Sequence, residues 1–334
     1  MKKTLAVAAV LAAFAGSAMA DVTVYGKVDA GLGYTNLDGD SAWQMKSGGA
    51  GASRLGFKGS EKIGDMTVGF TYETGLTMDD GKTNAKDDDG KDRMWTRVSQ
   101  LYVKGAYGEL GFGYYGALES ATGPYDVAAG LTAMGTGYFG VGGQDYVLNH
   151  RGGARLENAI TYKTPTFAGL TVSAQVGTLD ADATYEYSNE SDMYYGVAAK
   201  YAAGDFGAGL IVSKAQEKDN GVEDLNVTAG VNYNFGVAQA FLAANYYDDG
   251  ADGDQHGVVV GFEMPLMGGT LEAQVGYGEK DTADEESETT FAGAFYKYPL
   301  SKQTFLYGAA GWDQVKTTTT ADNYRAIFGM QHNF

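Results

Sequence analysis

Residues 22–34 read VTVYGKVDAGLGY, and apolar and polar positions alternate along this stretch. Val24 and Val28 fall on one face, whereas Lys27 and Asp29 fall on the other. A period of two places successive side chains on opposite faces of a β-strand. The stretch therefore predicts a strand with one apolar and one polar face.

The same period returns around Leu55 and again over residues 324–334. Along the chain, polar insertions and tight turns alternate regularly. Polar, Gly/Asp-rich insertions are predicted near residues 36–51, 77–92, 116–153, 180–190, 215–221, 248–255, 281–288 and 316–321. Tight turns are predicted near Glu61–Asp65, Tyr107–Glu109, Pro165–Gly169, Ala203–Gly204, Phe235–Gly236, Pro265–Gly269 and Leu300–Gln303. Eight long connections and seven short ones separate sixteen strands of about 8–14 residues.

Alternating long and short connections are typical of a barrel that spans an outer membrane. Every strand edge must be paired in lipid, so such a sheet has to close. We expect an all-β fold: a transmembrane antiparallel barrel of sixteen strands with short periplasmic turns and long extracellular loops. The mean hydropathy of −0.25 fits, since each strand presents only every second residue to lipid. The alternative is a secreted soluble β-sandwich or lectin, which does not explain the alternation of connection lengths.

The composition excludes several classes of function. The chain has 24 Lys+Arg against 42 Asp+Glu, a net charge of −18, which argues against nucleic acid as a partner. It has no Cys, so disulfides, thiolate-bound metals and thiol catalysis are excluded. A barrel enzyme would need a Ser–His or Asp–His set, and no residue marks a nucleophile. We therefore predict that the protein is not an enzyme and has no catalytic residues.

The N-terminal segment has the pattern of an export signal. Two lysines precede an apolar stretch over residues 4–16, and Ala18-Met19-Ala20 fits the small-x-small cleavage rule. The alternative, a membrane helix, needs about 20 apolar residues, and this run is shorter. We predict that residues 1–20 are a cleaved signal peptide for the general secretory pathway and that residues 21–334 form one barrel domain.

Four stretches and the end of the chain carry a family resemblance. They read VYGKVD at residues 24–29, SRLGFKGSE at 53–61, RLENAITYKTP at 155–165, YPLSKQT at 298–304 and GMQHNF at 329–334. In this order they resemble the Gram-negative general diffusion porins, which are trimeric sixteen-stranded barrels. The resemblance covers the whole chain after residue 20.

The resemblance implies an outer-membrane channel for passive diffusion of ions and small hydrophilic solutes. It implies a homotrimer in contact with outer-membrane lipid and lipopolysaccharide. It also implies that Phe334 belongs to the C-terminal signal that the barrel-assembly machinery reads during insertion. A substrate-preferring porin of the same fold, selective for a sugar, a phosphate or an organic anion, remains the alternative.

The resemblance also implies a constriction inside the pore. The third loop, residues 116–153, is expected to fold into the barrel and face a basic wall. The expected wall residues are Lys27, Arg54, Arg97 and Arg155, with Arg93, Arg151 and Arg325 as weaker pore-lining candidates. The acids of the third loop are Glu119, Asp126 and Asp145. Parity agrees with this assignment, because Arg54 falls on the face opposite Leu55, away from lipid.

Acidic outer loops raise the local concentration of cations, so the sequence predicts a mild cation preference. Asp87, Asp88 and Asp89 are candidate ligands for a structural Ca²⁺, and we expect no other cofactor. In the predicted strand Met94–Lys104, parity places Gln100 and Lys104 on the outer face. Because these side chains are too polar for lipid, the sequence predicts a subunit contact there.

Overall fold

The computed structural model describes residues 22–83, 93–120, 122–135, 141, 148, 154–179, 192–216, 221–251, 253–282 and 286–334. The strands are β1 (Thr23–Leu37), β2 (Asp40–Ser47), β3 (Arg54–Ile63), β4 (Met66–Gly75), β5 (Val98–Gly105), β6 (Gly108–Gly116), β7 (Arg155–Lys163), β8 (Leu170–Thr178), β9 (Met193–Ala203), β10 (Phe206–Gln216), β11 (Leu225–Asn234), β12 (Gln239–Asp248), β13 (Asp254–Leu266), β14 (Gly269–Asp281), β15 (Glu286–Pro299), β16 (Thr304–Lys316) and β17 (Thr320–Asn333). A short 3₁₀ helix covers Ala128–Gly130.

The strands form one closed antiparallel sheet. β17 pairs with β1 over the register Lys27↔Asn333 to Leu37↔Asn323, which closes the circle. β2 and β3 both pair with β1 on its other side, so they are two halves of one barrel strand. The seventeen segments thus make a barrel of sixteen strands, as the sequence predicts.

The connections at the two ends of the barrel differ. All seven predicted tight turns are confirmed: they connect β3–β4, β5–β6, β7–β8, β9–β10, β11–β12, β13–β14 and β15–β16. At the other end, residues 76–97, 117–154, 179–192 and 217–224 lie between strands and are the longer connections.

Four of the predicted long insertions are wrong in extent. Of these insertions, residues 36–37, 40–47, 248, 254–255, 281, 286–288, 316 and 320–321 belong to strands. Between β1 and β2 only Asp38 and Gly39 intervene, with φ of 50° and 95°, and two positive φ values are typical of a tight hairpin turn. Backbone hydrogen bonds do not require apolar side chains, so polar strands continue the ladder beyond the lipid.

The side chains separate by parity as expected for a membrane barrel. On the outer face Val197 is 54% exposed and Val260 is 50% exposed. On the inner face Thr228 and Asn245 are buried, and the Asn245 amide donates to the Thr228 hydroxyl at 2.8 Å. No helix in the described ranges combines the length and hydropathy that crossing a membrane requires.

The predicted parity of the strand around Gln100 is wrong. Gln100 is 4% exposed, and its Nε2 donates to the hydroxyl of Tyr125 in the third loop at 2.9 Å. Leu101 is the neighbour that faces outward, at 52% exposure. Lys104 has the same parity as Gln100 and faces inward. The prediction counted the alternation of inward and outward residues from Arg97, which precedes β5 and does not belong to its alternation. The subunit contact inferred from these polar side chains therefore loses its support.

The seam between β1 and β17 is closed by the last residue of the sequence. Phe334 and Gly26 exchange two backbone hydrogen bonds, each 3.0 Å long. A Cβ at Gly26 would lie 2.5 Å from the Arg54 carbonyl oxygen and 2.6 Å from Cζ of Phe334. The Phe334 ring therefore lies where a side chain at residue 26 would have to go.

Replacing Gly26 by alanine should weaken this seam. The added methyl group overlaps a backbone oxygen as well as a ring, and overpacking of this kind costs about 1–3 kcal/mol. We expect the G26A barrel to lose its compact, heat-modifiable migration on semi-native gels at a lower temperature. G308A is the matched control, because the nearest atom to a Cβ there is 4.0 Å away. Equal transition temperatures for the two variants would contradict the prediction.

Candidate pore constriction

The third loop, between β6 and β7, lines much of the inner wall of the barrel. Its first part packs Leu118, Tyr125 and Val127 against Leu156, Tyr194 and Ile211 of β7, β9 and β10. Its middle packs Leu131 and Leu148 against Ala243, Val259 and Phe291 of β12, β13 and β15. Its far part packs Met134 and Val141 against Phe295, Tyr307 and Ile327 of β15, β16 and β17. The described part of the loop thus covers the wall from β7 round to β17.

Polar contacts attach the loop to this wall. Glu119 is fully buried, and its carboxylate accepts hydrogen bonds from the Tyr194 hydroxyl and the Ser213 hydroxyl, both at 2.6 Å. Farther along, the Met134 N–H donates to Oε1 of Gln274 at 3.2 Å. Hydrogen bonds to a carboxylate, such as the two at 2.6 Å to Glu119, are stronger than bonds between neutral groups. Glu119 therefore acts as an anchor for the loop.

The two predicted third-loop acids that the structure describes have partners close by. Glu119 points into the wall that the loop covers. Asp126 accepts from the N–H groups of Ala128 and Ala129 at 3.0 and 3.2 Å, so its carboxylate caps the short helix. Asp145 lies outside the described residues. Glu119 therefore does not present its charge to the opening.

The structure brings the four predicted wall residues together. We call Lys27, Arg54, Arg97 and Arg155 the basic cluster. The charges of Arg97 and Arg155 both act on the Arg54 guanidinium. The charges of Arg54 and Arg97 both act on the Lys27 ammonium. The four residues come from β1, β3, the position just before β5 and the start of β7, at the border of the wall that the third loop leaves uncovered.

An acidic residue that the sequence analysis does not predict lies next to the basic cluster. Glu73 of β4 is 6% exposed, and its Oε1 lies 2.6 Å from Nε of Arg97 and 3.3 Å from Nη1 of Arg54. Its Oε2 accepts from the Tyr25 hydroxyl at 3.1 Å. The signal was available, because Glu73 alternates with outward-facing Tyr72 and therefore has inward parity.

The electrostatic balance of this wall is positive. Four cations stand against two carboxylates: Glu73, which is shared between Arg54 and Arg97, and the buried Asp29, whose charge acts on Lys27. The side chains of Arg54 and Arg97 keep 23% and 12% of their surface exposed, so they still reach the water of the lumen. Charges partly withdrawn from water interact more strongly with a passing ion than charges at an open surface.

Two of the three weaker arginine candidates, Arg93 and Arg325, are each paired with an acid. Arg93 forms an ion pair with Glu157, and its guanidinium lies 4.3 Å from the centre of the Tyr114 ring. Arg325 forms an ion pair with Asp313. Their charges are thereby largely neutralised. Arg151 lies outside the described residues.

The second loop bears on the calcium prediction only in part. Asp87, Asp88 and Asp89 lie outside the described residues, so the proposed Ca²⁺ ligands stay a prediction. In the described part of this loop, Lys82 lies 2.7 Å from Asp80, and its hydrogen bond lowers the pKa of that exposed carboxyl to about 2. Across the described ranges, no group of three or more His, Cys, Asp or Glu residues is placed to hold a metal ion.

Comparisons with known proteins agree with the barrel fold. A family model described as Gram-negative porin matches residues 6–318. Outer membrane porin protein 32 of Delftia acidovorans is 31% identical over 336 residues, covering 96% of this chain and 92% of that protein. The solved anion-selective porin from Comamonas acidovorans has a TM-score of 0.74 and 25% identity, covering 94% of this chain and 99% of that one.

A further solved structure extends the likeness of the fold. It is the trimer form of OmpT, an outer membrane protein of Vibrio cholerae, with a TM-score of 0.64. Its identity to this chain is 15%, and the match covers 94% of this chain and 99% of that one. At this identity the likeness concerns the fold alone.

Proposed function

The chain belongs to the Gram-negative porin family, and from that membership we propose a diffusion channel whose narrowest passage runs along the basic cluster and favours small anions. As a porin it lies in the outer membrane and lets solutes pass by passive diffusion. The finer part of the proposal concerns the position of the constriction and the sign of its selectivity. It involves no covalent step.

The observation that carries the proposal is the division of the inner wall. The third loop packs along the wall from β7 to β17, and the basic cluster lies on the part that stays uncovered. Water and solutes must use the space that remains. The opening is therefore bounded by the loop on one side and by Lys27, Arg54, Arg97 and Arg155 on the other.

The sign of the selectivity follows from the charges beside that opening. Four cations stand against the carboxylates of Glu73 and the buried Asp29, while the carboxylate of Glu119 is buried against the wall. Clusters of charge in a narrow pore bias the flow of the opposite ion. The name of the anion-selective porin from Comamonas acidovorans supports the same direction. This proposal reverses the mild cation preference expected from the acidic outer loops.

Reversal potentials of the purified protein in planar bilayers test the proposal. Under a KCl gradient we expect a reversal potential whose sign indicates that chloride permeates better than potassium. A cation preference, or none, would contradict the assigned selectivity. Saturable block of the current by phosphate, an organic acid or a sugar would instead favour the substrate-preferring porin.

We also infer that three copies assemble and that the barrel contacts lipid and lipopolysaccharide after insertion by the assembly machinery. The support is the trimer form of OmpT, which shares the fold. The mass of the complex in mild detergent tests the assembly. A monomer under conditions that preserve the heat-modifiable barrel would contradict it.

A further inference from the structure

The second barrel strand contains more residues than its partner can pair. Ala30 of β1 pairs with Ser47 at the end of β2, and Lys27 of β1 pairs with Arg54 at the start of β3. Two residues of β1 therefore lie opposite the six residues 48–53. An antiparallel ladder matches residues one to one, so this segment must leave the sheet. We call residues 48–53 the inner bulge.

The inner bulge projects into the lumen. A Cβ at Gly49 would overlap the Tyr307 hydroxyl and the Ile327 side chain, and both of these residues are buried inside the barrel. Ala50 packs against the buried cluster that contains Met134 and Val141 of the third loop. The inner bulge thus packs, from the side of β1, against the same buried cluster that holds the far part of the third loop.

A buried carboxylate holds the inner bulge in this position. Asp29 is 1% exposed, and its two oxygens accept from the N–H groups of Gly49 at 2.9 Å and Ala50 at 3.0 Å. The Tyr307 hydroxyl donates to the same carboxylate at 2.7 Å. Ser53 adds a further bond, because its Oγ accepts from the Asp29 N–H at 3.0 Å. A buried charge requires such partners, so these contacts define one arrangement of the segment.

The other side of the inner bulge meets the basic cluster. A Cβ at Gly51 would lie 3.0 Å from Nζ of Lys27 and 3.2 Å from Oε1 of Gln331. Both neighbours are the ends of flexible side chains. The inner bulge therefore packs through Ala50 against the cluster that includes the far part of the third loop, and it lies beside Lys27 of the basic cluster at Gly51. It thus lies between the two walls of the opening.

We propose that the inner bulge is a second selectivity element, which closes the gap between the third loop and β1 and sets the size and charge of the passage beside Lys27. Asp29 is its positioning residue. The inference rests on the proposed function, because it places the path of the solutes along the basic cluster. It adds a constricting element that does not come from the third loop.

A single thiol tests this inference directly, because the chain contains no cysteine. In G51C, the new side chain has room once Lys27 shifts. We expect a sulfonated and a quaternary-ammonium methanethiosulfonate reagent both to lower the single-channel conductance. The two reagents should move the reversal potential in opposite directions. A52C, at an exposed position of the inner bulge, is the second variant and should respond in the same way.

V197C is the matched control, because Val197 lies on the outer face of β9 and is 54% exposed there. Its conductance should not change with either reagent. Complete modification of G51C and A52C, verified by mass, with unchanged conductance and reversal potential would overturn the inference. Failure of the proposed function has a different signature, namely the absence of anion preference in the unmodified wild-type channel.

Discussion

Replacing Arg54 and Arg97 together by serine is expected to remove most of the anion preference of the channel. The two substitutions leave Lys27 and Arg155 with Glu73, so the excess of positive charge at the constriction falls sharply. The reversal potential under a KCl gradient should move toward zero and the chloride-to-potassium permeability ratio should fall several-fold. A weaker field at a constriction admits the co-ion more readily.

The same pair of substitutions also leaves a buried acid without its guanidinium partners. Glu73 is 6% exposed and would lose both of its guanidinium partners, and breaking a buried pair on one side costs about 3–5 kcal/mol. The variant should therefore convert at a lower temperature on semi-native gels.

Glu73→Gln separates the effect on selectivity from the effect on stability. Alone, E73Q removes the carboxylate that pairs with Arg54 and Arg97, and the anion preference should rise. In the triple variant R54S/R97S/E73Q the unpaired carboxylate of residue 73 is removed, so thermal stability should recover. The anion preference should stay below that of wild type. An unchanged reversal potential in R54S/R97S would show that the passage does not run along these residues.

Glu119→Ala is expected to obstruct the pore intermittently. The substitution removes the acceptor of two buried hydroxyl groups, those of Tyr194 and Ser213, and each unsatisfied group costs about 1–3 kcal/mol. The first part of the third loop loses its anchor and can move away from the wall into the opening. We expect a noisier single-channel conductance with a lower mean, together with a lower transition temperature on semi-native gels.

Two variants define the interpretation of this result. E119Q keeps the shape and one carbonyl acceptor, so its conductance and stability should lie between those of E119A and wild type. E223A removes an acid that is exposed at the rim, where Lys214 lies 3.0 Å away, and it should leave both quantities unchanged. Wild-type conductance and stability in E119A would show that the apolar contacts of the loop suffice to hold it.

The sequence predicts the barrel because parity and turn residues are local signals. Residues 22–34 alternate with period two, and each tight turn is marked within a few positions. The sequence predicts outer connections that are too long, because polar residues such as Glu286 and Glu288 are typical of a loop, although their backbone extends the ladder. Gln100 was assigned to the wrong face because a residue outside the regular strand set the phase.

The site was predictable where it depends on parity and unpredictable where it depends on distant partners. Lys27 and Arg54 have the inward parity that the structure gives them. The orientation of Glu119 depends on Tyr194 and Ser213, which lie 75 and 94 positions away in the chain. The inner bulge could not be predicted from the sequence either, because it follows from the register of β2 and β3 against β1.

The seam between β1 and β17 also determines the order in which the barrel can assemble. All other strand pairings join segments that follow one another, or are separated only by β2, so they form as local hairpins. The seam instead joins the two ends of the sheet, and the entropy lost on loop closure grows with the length of chain enclosed. We therefore expect zipping from the hairpins first and the Gly26–Phe334 contact last. Until that step, β1 and β17 each expose an unpaired edge, which makes the nearly finished sheet the species most prone to aggregate.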